Sequence, residues 1–140
     1  MTYVLRVLLI ALLPASFVHA DEQMRSPSPE GAKSYIISPV DGDTVGKSFT
    51  VKFGLKGMGV APAGMNKSGT GHHHLLVDGK KLPAFDKPMG KSVMHFGGGQ
   101  TEKMIELPLG KHTLQLILGN HHHVPHNPPV VSEKITITVK

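Results

Sequence analysis

An all-β fold is what this sequence predicts, and three observations carry the expectation. Apolar and polar residues alternate at period two in several short stretches, the pattern of strands with one face buried. Glycine and proline number 16 and 11 in 140 residues, so turns recur too often for long helices. Past residue 20 no stretch carries a helical period.

Composition bounds the rest. An apolar content of 39% suits the core of one globular domain; a disordered chain would be poorer and a membrane bundle far richer. With no cysteine, disulfides, thiolate metal sites, iron–sulfur clusters and cysteine nucleophiles are all excluded. The net charge of +5 is mild, and Lys80, Lys81, Lys87, Lys91 and Lys111 form no dense run. Two tyrosines, five phenylalanines and no tryptophan offer little for base stacking, so nucleic-acid binding is not expected. Ten histidines are the outlier.

Along the chain, residues 1–20 read as a signal peptide: Arg6 supplies the positive charge, 7–13 the apolar run, Pro14 the break and Val18-His19-Ala20 the cleavage signal. The run is too short for a hydrocarbon core of about 30 Å, so no membrane span is expected after its removal, and the protein is expected to be periplasmic or secreted. Residues 21–33, with Ser-Pro-Ser-Pro and charges without periodicity, read as a flexible N-terminal tether. A β-sandwich domain is expected over 34–140.

Within that domain the first strand is expected at 35–38, before a turn at 39–42. The second, 49–55, sets Phe49, Val51, Phe53 and Leu55 on one face. A glycine-rich loop, 57–71, leads to a third strand, 72–77, closed by the turn pair Asp78-Gly79. A loop at 84–91 and a short strand at 92–96 precede Gly97-Gly98-Gly99, and 101–107 is the fifth strand. After a turn at 108–110, the strand 111–118 aligns Leu114, Leu116 and Leu118. A loop at 119–131 leads to the last strand, 132–140, with Ile135, Ile137 and Val139 together. Seven short strands at this spacing predict a two-sheet sandwich of immunoglobulin-like type. In such a sandwich His112 falls at the corner before the sixth strand, where a ring hydrogen-bonds back across the corner, so its expected role is structural.

Five motifs, Gly57-Met58-Gly59-Val60, Gly71-His72-His73-His74-Leu75-Leu76, His95-Phe96-Gly97-Gly98-Gly99-Gln100-Thr101-Glu102, His112-Thr113-Leu114-Gln115-Leu116 and Val124-Pro125-His126-Asn127-Pro128-Pro129, carry a resemblance. Together they resemble a family of small exported bacterial proteins known only as a domain of unknown function, over residues 35–140. The resemblance implies export and a β-rich domain, and brings no activity with it.

Eight of the nine histidines beyond residue 20 fall in three clusters: His72, His73 and His74; His95; and His121, His122, His123 and His126. In the sandwich lettering all three clusters belong to one end, while His112 belongs to the other. Strand alternation makes His72 and His74 point together and His73 opposite. Neutral imidazoles at that spacing suit zinc, copper(II) or nickel, so the candidate ligands are His72, His74, His95, His121, His123 and His126, and the expected cofactor is Cu or Zn. Met58, Met65 and Met94 flank the same end and would favour copper(I). Three other readings of the same residues stand beside this one: a solvated histidine tract, a module that binds an envelope protein, and a metal-dependent enzyme with Glu102 as base. No serine triad or other enzyme signature is present, which leans the reading away from an enzyme.

Overall fold

The computed structural model describes residues 24–140; the stretch read as a signal peptide lies outside the described residues. Nine strands follow in order: β1 (Lys33–Ser38), β2 (Thr44–Val45), β3 (Ser48–Lys56), β4 (Gly59–Val60), β5 (Thr70–Val77), β6 (Met94–His95), β7 (Glu102–Glu106), β8 (Gly110–Gly119) and β9 (Ile135–Val139). All seven expected strands are among them, the fourth cut from 92–96 to Met94–His95 and the last from 132–140 to Ile135–Val139. The two additions, β2 and β4, are two-residue parallel pairings onto β9 and β5, too short to leave a period in the sequence.

The strands form two sheets, β1-β3-β7 and β2-β9-β8-β5-β4, with β6 paired to β5. The chain enters on the first sheet and crosses at β2 to lie parallel against β9, so the order is that of an immunoglobulin-type sandwich. Between the sheets, Val51 and Phe53 of β3 and Ile105 of β7 meet Leu75, Leu114, Leu116, Ile137 and Val139. Full burial of each such side chain contributes about 1.5–3 kcal/mol.

Strand β5 departs from simple alternation because both of its faces are covered. His73 and Leu75 face inward, the His73 ring 5.3 Å from that of Phe53. On the outward side Leu76 packs with Val93 and Ile117 under Leu82 and Met89. Residues expected to be a plain loop around 84–91 thus contribute to a second apolar layer on the outside of the sheet. That layer shields the outward face of β5, which also carries His72 and His74.

The tether expected over 21–33 is docked from Met24 onward. Asn120 Nδ2 donates to the Met24 carbonyl (2.8 Å), Arg25 Nε to Pro125 O (3.1 Å) and Ser28 N to Asn127 O (3.0 Å). Asn127 N returns a bond to Ser26 O at 2.9 Å. Most of these contacts use backbone groups, which hydropathy patterning does not register.

At the far end of β8, His112 closes the corner as expected. Its Nδ1 lies 2.7 Å from Asp78 Oδ2 and its Nε2 2.9 Å from the Pro108 carbonyl. Both partners are acceptors, and the Asp78 bond followed by the Pro108 bond raises the ring's pKa. Burial draws the Asp78 carboxyl upward, but bonds from His112 and from Thr113 N outweigh it and leave the group below its ordinary range.

Candidate metal centre

Two of the clustered histidines come from β5, where His72 and His74, two residues apart, face outward with ring centroids 4.7 Å apart. The third, His95, is set by register: β6 pairs antiparallel with β5 and places His95 opposite His74. The fourth, His123, comes from the loop after β8. Its ring lies 5.0 Å from His72 and 4.6 Å from His95. One ring nitrogen from each of the four lies within 4.8 Å of the others, close enough to hold a metal ion. A tetrahedral set with bonds of about 2.0–2.1 Å has nitrogens about 3.3 Å apart, so closing on an ion requires side-chain shifts of about 1.5 Å or less.

Local sequence makes this convergence possible at three places. Gly119, opposite His72 in β8, lies under the His74 ring: a Cβ there would stand 2.6 Å from His74 Cε1 and 3.0 Å from Met89 Cε. Gly97 does the same for His95, whose ring folds back over it and would collide with a Cβ. Asn120, 1% exposed, organises the loop, its Oδ1 accepting from His122 N (2.9 Å) and Val124 N (3.1 Å). The resulting turn gives His123 a φ of 64°, a left-handed conformation uncommon outside glycine. Met89 N then donates to His123 O at 2.9 Å, tying the loop to the covering segment.

The electrostatics favour neutral rings with free lone pairs. Burial, reinforced by the neighbouring His123 and His95, lowers the pKa of His72 to about 4. Burial, then His72 and His95, lowers that of His74 to about 3. His123 is lowered too, by burial first and His95 second. His72 Nε2 and His123 Nδ1 are 3.0 Å apart, whereas His72 Nδ1 and both ring nitrogens of His74 are buried without a hydrogen-bond partner. Buried polar atoms are nearly always bonded, so an unpartnered imidazole beside three others fits a donor set for a metal.

A cleft of ≈ 420 Å³ opens onto this centre, lined by His74, His95 and His123 with Met89, Lys91 and Val93. Met89 was not a candidate from sequence; Pro88-Met89-Gly90 carries nothing that sets it apart from the other methionines. The remaining candidates lie elsewhere. His126 is buried beneath Gly71, its nitrogens 3.2 Å from Thr70 O and 3.4 Å from Leu118 O, where it ties the start of β5 to the end of β8. His121 stacks on His122 at 4.0 Å, outside the four-histidine group. Met58, Met65 and Met94 do not line the cleft, and Met94, beside His95 on a strand, points to the opposite face. Glu102 begins β7 on the other sheet, exposed and away from the cleft, which gives it no part as a base here.

The four-histidine group falls inside a stretch that other sequences share. The profile of a family described as a domain of unknown function (DUF4399) matches residues 51–140. The chain belongs to this family. The DUF4399 span covers β4 to β9 and β3 from Val51 onward, and with them His72, His74, His95 and His123. The expected membership of a domain-of-unknown-function family therefore holds, over 51–140 in place of the expected 35–140. No curated protein and no solved structure matches the chain. Among the described residues no helix is long and apolar enough to cross a membrane.

Proposed function

We propose that this protein is an exported domain, periplasmic or secreted, that binds one copper or zinc ion on His72, His74, His95 and His123. The observation that carries the reading is the convergence of four imidazoles from three separate segments with the buried nitrogens of His74 unpartnered. An all-imidazole set without a carboxylate suits zinc, copper(II) or nickel and is poor for calcium or magnesium, which take oxygen ligands. His72 and His74 are buried while His95 is exposed, which supports entry from the His95 side onto a fixed pair. Export rests on Arg6, the apolar run at 7–13 and Val18-His19-Ala20.

Calorimetric titration of the chain from Asp21 onward with Cu(II) and with Zn(II) tests the binding. One equivalent should bind with a dissociation constant of about micromolar or tighter. His72→Ala with His74→Ala should remove most of that affinity, whereas His121→Ala should keep it. Equal losses from both variants would reduce the histidines to a nonspecific tract. Export is checked by the intact mass of the secreted protein, which should begin at Asp21 and not at Met1.

A further inference from the structure

An ion held by the four histidines would not be enclosed. Three of them, His74, His95 and His123, line the cleft, and His72 does not, so the cleft meets the triangular face opposite His72. A small ligand entering through the cleft would meet the ion on the side lined by His74, His95 and His123.

Charge then decides what kind of ligand enters. Four neutral imidazoles leave the full charge of a divalent ion uncompensated, and no carboxylate lines the cleft among the described residues. An unpaired charge in a partly buried setting is costly, and an incoming anion relieves that cost where a neutral ligand does not. Among the described residues Lys91 is the only charged side chain lining the cleft, and it adds to the positive potential. Met89 and Val93 supply apolar walls that strengthen the attraction and disfavour bulky hydrated ligands.

We infer that the cleft is a binding site for a small monovalent anion, which would reach the ion from the cleft side and is drawn in by Lys91. The inference rests on the metal reading, since without the ion the cleft holds only Lys91 as a charge. The class includes halides, pseudohalides and small carboxylates, which share one negative donor atom and a small apolar-tolerant body.

The test uses the chain from Asp21 onward loaded with Co(II), whose visible spectrum reports coordination number, and azide as the probe. Azide should lower the intense tetrahedral bands, add a charge-transfer band and leave the cobalt on the protein through dialysis. Lys91→Glu should weaken azide severalfold, and the loss should shrink as salt is raised. Failure of the protein to take up Cu(II) and Zn(II) as well as cobalt would overturn the metal reading and the anion site with it. A cobalt-loaded protein whose spectrum is unmoved by about 0.1 M azide, where even a millimolar ligand would be bound, would overturn the anion site alone. Release of cobalt on adding azide would do the same, and unchanged azide affinity in Lys91→Glu would remove Lys91 from the site.

Discussion

His74→Leu separates a ligand from a structural histidine, because the two roles give opposite signs for stability. Both ring nitrogens of His74 are buried without a partner, and the ring is 1% exposed. A neutral imidazole always presents one N–H, and leaving it unpaired costs about 1–3 kcal/mol. Leucine removes that cost and keeps comparable volume, against a fitting penalty of about 1 kcal/mol beside Met89 and Gly119. The metal-free variant should therefore be more stable than the metal-free parent by about 1 kcal/mol, or roughly 4 °C in Tm for a domain of this size. The gain should widen in acid. With the His74 pKa at about 3 in the folded state against 6.5 unfolded, the unfolded chain binds the extra proton below pH 6.5, so stability falls with pH there. Each pH unit below 6.5 costs the parent about 1.4 kcal/mol through this one residue, and the variant is spared it. With metal the order should reverse, since an ion at a hundredfold above its dissociation constant stabilises the parent by about 2.7 kcal/mol and the variant far less. Thermal melts in chelator and in Zn(II), at pH 7.5 and 5.5, measure all four values. A metal-free variant clearly less stable than the metal-free parent would refute the reasoning, because it would mean that His74 makes a stabilising bond of its own.

Three further outcomes follow from the same geometry. Four ordinary imidazoles of pKa about 6.5 would each lose about tenfold in free ligand at pH 5.5, about 10⁴ together, whereas with His72 and His74 neutral to about pH 4 the Zn(II) affinity should fall far less than that in calorimetry at the two pH values. Gly119→Ala should lower metal affinity at least about tenfold by driving the His74 ring off its position, and an unchanged affinity would show that the ring does not lie over Gly119. His112→Ala should spare metal binding and cost about 1–3 kcal/mol in denaturant unfolding. Because the folded His112 pKa is raised, its contribution is complete below pH 6.5 and is lost as pH rises through that folded value, so the cost of the substitution should shrink in alkali.

The strands were legible because their faces differ: Val51, Phe53, Leu114, Leu116, Ile137 and Val139 sit where period two puts them. The pairing of His72 with His74, and the separation of His73, followed from the same rule. Topology brought in His95, since sandwich connections converge at one end. Choosing His123 over His121 and His126 was beyond the sequence, because that choice rests on the turn built around Asn120 and on a φ of 64°. Asn-His-His-His reads alike at each of its histidines. Likewise the outer layer of Leu82, Met89 and Val93 has no period, being drawn from an irregular segment, so its role as a cover is visible only in three dimensions. Docking of residues 24–28 was hidden for a different reason, since it depends on backbone groups of Asn127 and Pro125 and not on side-chain hydropathy.

X-ray absorption at the zinc edge of the protein loaded with one equivalent of Zn(II) tests the central proposal most directly, because it reads the ligand shell and not merely binding. The expected spectrum fits about four nitrogen neighbours at about 2.0 Å with the outer-shell scattering of imidazole, and it changes in His72→Ala and in His123→Ala. A shell of about six oxygen-dominated neighbours, or a four-imidazole shell that survives both substitutions, would contradict a centre built on His72, His74, His95 and His123.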